Sequence, residues 1–293
     1  RTMANDVYTQ VNDRILAALE QGIIPWKRPW TGQLPTNYDS GKQYRGVNIL
    51  TLDIAEMVRG YSSQYWLTFR QAQKHGGHIK RGEKSTYIVF SDKKVREVEK
   101  EDGTKERKIY HFIKSFPVFN WDQTEGVPRK EAGAALDRDR DLIDVCDTIL
   151  SKMPNPPAYR ESGSSAYYMP KDDLVNLPPM DTFRTTDGYI ATKFHEYGHS
   201  TGHKSRLNRS GVMGAASFGG EEYSFEELVA ELTSAYLCAG NGIDNTLENS
   251  SAYIQNWLSV LKDDKTMFLK ASGKATAAVE YICGKGAGAT PVS

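Results

Sequence analysis

Apolar residues recur at the spacing of an amphipathic helix close to the start of the chain. The recurring positions are Val7, Val11, Ile15 and Leu19. A helix is therefore predicted over 6–21, with Gly22 as its stop. The stretch 25–30 that follows contains two prolines and two tryptophans and cannot be a regular helix interior. Further helical patterns are found at 48–59, 66–75, 142–153, 187–200, 225–239, 250–261 and 265–282.

After the helix predicted at 66–75 the pattern changes from helical to extended. The run 86–90 is rich in β-branched and aromatic residues, and a similar run returns over 109–118. Between them, Asp102-Gly103 is a type I′ turn signal. A long β-hairpin is therefore predicted over 85–119, with a solvated tip whose charges alternate in sign.

Two shorter extended segments, 157–161 and 166–169, precede the helix at 187–200. The second is followed by 172–175, and together these two form the pattern of an edge hairpin. Such an edge would suit an extended peptide ligand or plain core formation, and the sequence does not choose between them. Taken together, we expect these helices and strands to form an α+β fold.

The chain length and a charged stretch near its middle predict two domains. At 293 residues the chain exceeds one average domain. We place a mixed α/β domain with the long hairpin at 1–127, a linker at 128–136 and a second domain at 137–283. The remaining residues, 284–293, are rich in Gly and Ala and are predicted to form a flexible tail.

Composition predicts a cytoplasmic protein that does not cross a membrane. No stretch approaches the roughly 20 apolar residues of a membrane span, and nothing resembles a secretory signal. Cysteine usage agrees, because an odd number of widely spaced cysteines is typical of reduced thiols. The cysteines are Cys146, Cys238 and Cys283. The oligomeric state is left open.

The formal net charge of zero conceals a basic half and an acidic half. Residues 1–130 contain 22 Lys and Arg against 15 Asp and Glu, a net charge of +7. Residues 131–293 contain 15 against 22, a net charge of −7. This split predicts different partners for the two halves, although two oppositely charged surfaces that hold each other would also account for it.

The strongest chemical signal is a His-Glu-x-x-His motif in the helix predicted over 187–200. His195 and His199 are four residues apart, so both imidazoles lie on one helix face and can bind one ion. Glu196 lies beside them, where it can take a proton from a water that the metal activates. The motif predicts a mononuclear zinc site of the metallopeptidase type. Another divalent ion such as manganese would suit the same ligands.

A catalytic zinc site needs a third protein ligand, and the acidic helix at 225–239 offers one. Glu227 is predicted as the ligand, and Glu231 as the carboxylate that orients a ligating histidine. Glu231, Glu226 and His203 remain alternatives for the third ligand. Ser224 with Glu227 would also make a capping box, in which Glu227 only satisfies the helix start.

Basic and aromatic residues are interleaved in the first half of the chain, which indicates a single-stranded nucleic-acid surface. Phosphates need positive charge and unpaired bases need flat side chains on which to stack. No recognition helix or zinc finger is visible, so binding would be independent of sequence. The alternative is that the aromatic residues are core, which is expected of Trp66, Phe69 and Phe90. The candidate contact residues are Lys27, Arg28, Trp30, Tyr44, Arg45, Arg70, Lys80, Arg81 and Lys84.

Several segments of the first half resemble one recurrent domain of plasmid-borne proteins. These segments are 37–48, 68–72, 82–84 and 118–124. The domain occurs in ArdC-type antirestriction proteins and in the DNA-binding parts of some plasmid primases. The second half, with 195–203 and the acidic helix after it, resembles the zincin-like peptidase domain of the same ArdC family.

The resemblance implies a protein that binds single-stranded DNA without sequence preference and protects incoming plasmid DNA from host restriction. It also implies that the family's metal-site motif falls on His195, Glu196 and His199. A host protein is then a candidate substrate for the peptidase domain. Two other hypotheses stay open: a DNA-coating protein whose metal site is not catalytic, and a general cytoplasmic zinc peptidase without a nucleic-acid role.

Overall fold

The computed structural model describes residues 2–30, 33–99, 105–131, 141–213, 221–246 and 251–285. Its helices are α1 (Thr2–Glu20), α2 (Val47–Arg59), α3 (Phe69–Lys74), α4 (Leu142–Leu150), α5 (Thr186–Ser200), α6 (Ser210–Met213), α7 (Glu221–Asn241), α8 (Ser251–Asp263) and α9 (Met267–Ile282). Its strands are β1 (Thr36–Asn37), β2 (Tyr65–Leu67), β3 (His78–Ile79), β4 (Thr86–Glu99), β5 (Lys105–Asn120), β6 (Thr124–Glu125), β7 (Ala158–Glu161), β8 (Tyr167–Met169) and β9 (Leu174–Leu177). Helices and strands of this kind confirm the predicted α+β class.

The first half is built on a four-stranded sheet in the order β1-β2-β5-β4. The predicted hairpin is confirmed, because β4 pairs antiparallel with β5 from Thr86 opposite Val118 to Glu99 opposite Lys105. Its predicted turn lies outside the described residues. At its base the Asn48 side chain donates to Val89 O at 2.8 Å and accepts from Val89 N at 2.7 Å, which ties α2 to the hairpin.

The helix predicted over 66–75 is wrong in its first turn. Tyr65–Leu67 forms a strand, and α3 begins only at Phe69. Thr68 is the N-cap of that helix: its side chain accepts from Gln71 N, and the Gln71 side chain accepts from Thr68 N in return. This capping box fixes the start of the helix, and Leu67 before it is fully buried against the sheet neighbours.

The second half places helices against a three-stranded sheet in the order β7-β9-β8. The predicted edge hairpin is present, because β8 pairs antiparallel with β9, while β7 pairs parallel with β9. Helix α5 packs on β8 and β9 with one side and on α7 with another, and α7 packs in turn on α9. Every predicted helix begins and ends within four residues of its observed bounds.

One hydrophobic core cluster joins residues from both halves of the chain. It contains Ile15 and Trp26 from the first half as well as Leu228 and Phe268 from the second. Helix α1 packs on α8 and α9, and α2 also touches α9. The two halves therefore share buried apolar surface. The predicted linker at 128–136 and the tail at 284–293 fall mostly outside the described residues.

The three cysteines form no disulfide bond in the structure. Cys146 and Cys238 are buried, Cys283 is partly buried, and all three are free thiols. Burial raises the pKa of the Cys146 thiol to about 12, so it is unreactive at neutral pH.

Among the described residues, the helices are all too short or too polar for a bilayer crossing.

Candidate metal centre

Helix α5 carries the candidate metal ligands on a helix whose other face is fully buried. Thr185 caps its start by accepting from Gly188 N at 3.0 Å. Ile190 and Phe194 have no exposed surface, and they hold the helix against the core. His195 and His199 are left on a partly exposed face that looks toward α7.

His195, His199 and Glu227 come together in one cluster. Their candidate ligand atoms all lie within 4.8 Å of one another. The two histidine Nε2 atoms are 3.1 Å apart, Glu227 Oε2 is 3.6 Å from His195 Nε2, and Glu227 Oε1 is 3.4 Å from His199 Nε2. An ion with four tetrahedral bonds of about 2.1 Å holds its ligands about 3.4 Å apart. Two imidazole nitrogens and a carboxylate with one oxygen near each of them fit a divalent metal ion.

The position of Glu227 rules out the capping-box alternative. A capping box needs Ser224 to precede the first helical residue, yet α7 already begins at Glu221. Glu227 is therefore held in the helix with its side chain free to face the histidines. Burial alone would raise the pKa of its carboxyl, but the hydrogen bond and charge of His199 outweigh burial and lower that pKa to about 2.

Glu226 is the carboxylate that lies behind a candidate ligand. Its Oε1 is 3.4 Å from His199 Nδ1, the ring nitrogen that points away from the cluster. Arg209 holds Glu226 in place, since Arg209 Nε donates to Oε2 at 2.8 Å and Arg209 Nη2 donates to Oε1 at 2.6 Å. A carboxylate in this position fixes the tautomer and orientation of a metal-binding histidine.

The structure corrects the role predicted for Glu231. Its Oε1 accepts from Tyr253 Oη at 2.9 Å and lies 3.2 Å from Lys27 Nζ. Glu231 thus faces the first half of the chain, one helical turn beyond Glu227, and Glu226 occupies the position behind His199. Spacing alone could not separate the two carboxylates, and Arg209 stood in no motif that would have pointed to it.

The electrostatics of the cluster favour a bound cation. Burial would lower the pKa of His199, but the carboxylates of Glu226 and Glu227 raise it to about 10. Both carboxylates therefore favour the protonated, positively charged form of this imidazole. A divalent ion would replace that proton and satisfy the same carboxylates.

The remaining candidates near the cluster have other partners. His203 Nδ1 lies 2.8 Å from Ser205 Oγ, and His203 is not part of the ligand cluster found among the described residues. Glu196 is only 7% exposed. Burial, the charge of Glu227 and, more weakly, the charge of Glu196 raise the pKa of Tyr223, so Tyr223 lies near both carboxylates.

The predicted DNA-binding residues separate into an exposed group and a buried group. Those on the surface are Arg45, Arg70, Lys80, Arg81 and Lys84. Tyr44 is half-buried, and its hydroxyl accepts from Asn37 Nδ2 at 3.2 Å. Three others are engaged inside the protein, which corrects their prediction as surface contacts: Lys27 pairs with Glu231, Arg28 pairs with Asp53, and Trp30 donates from Nε1 to Asn245 at 2.9 Å.

Two of the aromatic residues expected in the core lie on the surface instead. Trp66 is fully buried as predicted, but Phe69 is 50% exposed and Phe90 is 37% exposed. Phe90 stacks edge-on against Phe116, which is 43% exposed, with ring centroids 6.3 Å apart. The hairpin base therefore presents aromatic faces to solvent.

Both halves of the chain match known families. Residues 5–119 match the N-terminal domain of the anti-restriction factor ArdC, and residues 154–274 match a zincin-like metallopeptidase. The metal-free crystal structure of antirestriction ArdC protein from the R388 plasmid is 38% identical, with a TM-score of 0.73 over 94% of this chain and 96% of that one. The chain belongs to the ArdC family of antirestriction proteins. The two matched regions confirm the predicted two-domain organisation of the ArdC fold.

Further relatives are similar to this chain over nearly its whole length. The Mn(II)-bound structure of the R388 protein is 36% identical, with a TM-score of 0.74 over 97% of this chain and 99% of that one. Protein y4eC of Sinorhizobium fredii is 31% identical over 94% of this chain and 91% of its own length. DNA primase TraC of Escherichia coli is 30% identical over 94% of this chain, which spans only 27% of the primase.

Proposed function

We propose that this ArdC-family protein binds single-stranded DNA without sequence preference and protects incoming plasmid DNA from restriction, and that its metal centre hydrolyses peptide bonds. The ligand geometry of His195, His199 and Glu227 carries the catalytic part of the proposal. The exposed basic and aromatic surface of the first half supports the DNA part. The ArdC family membership supports the antirestriction role.

The three clustered side chains would hold the ion, with zinc as the expected metal and manganese as an alternative. The R388 protein, which is 36% identical, has an Mn(II)-bound structure, and this supports a divalent ion as the cofactor. When bound, the ion would polarise a peptide carbonyl and make a nearby water more acidic. Glu226 and Arg209 would keep His199 in the tautomer that presents Nε2 to the cluster.

Glu196 is the residue proposed to move the proton. It follows His195 on α5 and is buried, so its carboxylate is shielded from bulk solvent beside the cluster. There it would accept a proton from the attacking water and then deliver it to the leaving amine. Tyr223, whose side chain hydrogen-bonds to Glu227, would hold that carboxylate at the cluster.

The DNA surface is proposed on residues that the fold leaves exposed. Arg45 lies before α2, Arg70 lies in α3 beside exposed Phe69, and Lys80, Arg81 and Lys84 flank the start of the hairpin. Phe90 and Phe116 add flat apolar faces on the hairpin itself. Charge for the phosphates and rings for the bases are the two components of sequence-independent single-strand binding.

Glu196→Gln tests the peptidase separately from DNA binding. The variant should lose proteolysis of a denatured protein substrate in zinc- or manganese-loaded form by about a hundredfold or more, and should retain DNA affinity. If Glu196→Gln still protects plasmid DNA fully during transfer, the DNA-coating hypothesis with a non-catalytic metal site is the better account. Equal proteolysis by the variant and the wild type would rule out the proposed role of Glu196.

A salt series tests the DNA part. Labelled single-stranded and double-stranded oligonucleotides should show a single-strand preference that weakens steeply as salt rises. The double change Lys80→Ala with Arg81→Ala should lower affinity and flatten the salt dependence. Absence of binding to either form at low salt would leave a zinc peptidase without a nucleic-acid role.

A further inference from the structure

A cavity of about 190 Å³ adjoins the candidate metal centre, and Lys27 from the first half of the chain forms part of its wall. It shares His195 and Glu227 with the ligand cluster, so anything bound in it lies next to the reacting bond. Its lining residues are Lys27, Ala191, Thr192, His195, Glu227, Glu231, Ser234 and Asn245. Apart from the metal ligands, its ionisable groups are Lys27 and Glu231.

Lys27 and Glu231 form a nearly buried ion pair in the cavity wall. Their side chains are 6% and 15% exposed, and Lys27 Nζ lies 3.2 Å from Glu231 Oε1. The ammonium also lies 4.6 Å from the ring centroid of Tyr253. Since Oε1 already accepts from both Lys27 and Tyr253, Oε2 of Glu231 and a remaining N–H of Lys27 are the groups that can still bind a ligand.

The segment that carries Lys27 is held rigidly by Asn245. The Asn245 side chain accepts from Arg28 N at 2.8 Å and from Trp30 Nε1 at 2.9 Å, and it donates to Trp26 O at 2.7 Å. Both lone pairs of its Oδ1 and one N–H of its Nδ2 are therefore used on this segment, and a second N–H of Nδ2 remains. Ser234, another wall residue, donates to Ala191 O at 2.8 Å. The charged groups that the wall offers a ligand are thus the Lys27 ammonium and the Glu231 carboxylate, and the segment that carries Lys27 is fixed by Asn245.

We propose that this cavity is a substrate subsite for an amide side chain, Gln or Asn, next to the scissile bond. The inference rests on the proposed peptidase function and names its substrate class. A carboxamide oxygen accepts from Lys27 Nζ while the carboxamide nitrogen donates to Glu231 Oε2. The subsite makes Lys27, a residue of the ArdC N-terminal domain, a specificity-determining residue of the peptidase half.

Charge and desolvation exclude the other side-chain classes. Lys27 and Glu231 neutralise each other, so a charged side chain gains no net attraction there and loses its hydration. An apolar side chain would cover the ammonium and the carboxylate without replacing their hydrogen bonds to water. An amide satisfies both partners at once and carries no net charge.

The test measures binding on zinc-loaded Glu196→Gln protein, so that the peptides are not consumed. The probes are fluorescein-labelled hexapeptides of alanine, each carrying one Gln, Asn, Glu, Lys or Leu at each position in turn. At one position the Gln and Asn peptides should bind at least about tenfold more tightly than the Leu, Glu and Lys peptides. No measurable binding, or no amide preference at any position, overturns the inference.

Variants of the pair should change the preference in a charge-specific way. Added to Glu196→Gln, Lys27→Met should favour the Lys peptide and Glu231→Gln should favour the Glu peptide. The double change Lys27→Met with Glu231→Met leaves no buried charge and should favour the Leu peptide, and it guards against misfolding of the single variants. Arg28→Gln is the matched control, because Arg28 lies in the same segment but pairs with Asp53 on α2.

The outcomes separate this inference from the proposed function. An amide preference that persists in the double variant would sink the Lys27–Glu231 assignment. If the preference behaves as expected but wild-type protein never cleaves the Gln peptide, the subsite stands and the peptidase proposal fails. If wild-type protein cleaves peptides without any amide preference, the peptidase stands and the subsite fails.

Discussion

At the scale of single residues, the contacts of Glu226 and Glu231 on α7 decide which of the two carboxylates supports the candidate metal ligands. Glu226 lies behind His199 and is fixed by two hydrogen bonds from Arg209, whereas Glu231 is turned toward Lys27. Carboxylates behind a ligating histidine are usually worth about 10–100-fold in metal affinity. The same loss is expected only where such a contact exists.

Glu226→Gln should therefore weaken zinc binding by about 10–100-fold. Glu231→Gln is the matched control on the same helix and should change it by less than about threefold. Competition against a fluorescent zinc chelator measures both. Equal losses in the two variants would mean that Glu231 supports the site as much as Glu226 does.

A second residue-scale prediction concerns Glu56 on α2. Burial raises its pKa to about 7. A carboxyl whose pKa is raised on folding adds stability that is fully present below its unfolded pKa and is lost as pH rises through the folded value. Relative to wild type, Glu56→Gln should therefore gain on the order of 1–3 kcal/mol of unfolding free energy between pH 5 and pH 8.

Denaturant unfolding at both pH values measures this gain. Glu20→Gln is the control, because Glu20 and its partner Lys262 are each 55% exposed at the surface. Its difference from wild type should stay nearly constant over the same range. A flat difference for Glu56→Gln as well would show that this carboxyl is ionised in the folded protein.

The sequence predicted the cluster itself but not its support. The two histidines could be found because the spacing of four residues fixes their direction on a helix. Glu227 could be selected as the third ligand from the spacing of the acidic residues on α7. The structure brings Glu227 to the two histidines. Arg209 lies in the chain between α5 and α6, and only the folded path brings it to Glu226. Irregular segments of this kind carry no period from which a direction could be read.

At the scale of elements, the metal centre depends on how closely α5 approaches α7. Gly198 lies at their crossing, where an added Cβ would be 3.2 Å from Ala230 Cα and 3.2 Å from Thr233 Cβ. The absence of a side chain there lets the two helices come close enough for the histidines to meet Glu227. The glycine inside the motif thus has a packing role.

Gly198→Ala should push the helices apart and destabilise the protein by about 1–3 kcal/mol. Zinc affinity should fall with it, because the ligand separations are set by the same contact. Gly240→Ala in α7 is the control, since an added Cβ there meets nothing within 4 Å. It should be neutral or stabilising by up to about 1 kcal/mol. Thermal melting with and without zinc measures both effects. Equal melting temperatures of the two variants would contradict the packing role of Gly198.

The hairpin formed by β4 and β5 leads to a further prediction at this scale. Each base that stacks on an aromatic ring is worth about 1–3 kcal/mol in single-strand binding. Phe90→Ala should therefore lower affinity for a thymine oligonucleotide at least several-fold. Met57→Ala, at an equally exposed apolar residue on α2 that has no ring, should not. Anisotropy titrations decide, and equal effects would point to general loss of apolar surface.

Long elements were more predictable than the burial of single side chains. The hairpin could be predicted because its apolar runs flank a turn signal, and the helices because their period extends over several turns. The basic residues before Trp30 in the sequence predict that it lies on the surface. Its burial depends on Asn245, a partner 215 positions away, and no local pattern contains that information.

At the scale of the whole molecule, the shared core predicts cooperative unfolding. Ile15 and Trp26 lie in one apolar cluster with Leu228 and Phe268, so neither half keeps its buried surface when the other unfolds. Calorimetry of the metal-free chain should therefore show one transition, with a van't Hoff enthalpy close to the calorimetric one. Two separate transitions would show that the halves are independently stable despite this contact.

The anchoring of the 26–30 segment by Asn245 has a consequence for inheritance. A gene fusion cut between the two matched regions would leave the peptidase half without the segment that closes its cavity and fills its core. We therefore expect the two halves to be stable only when they are inherited as one piece. The matches to y4eC and to TraC each cover 94% of this chain. In TraC, the matched region is only 27% of the primase. Chimaeras between relatives should therefore be joined outside this unit.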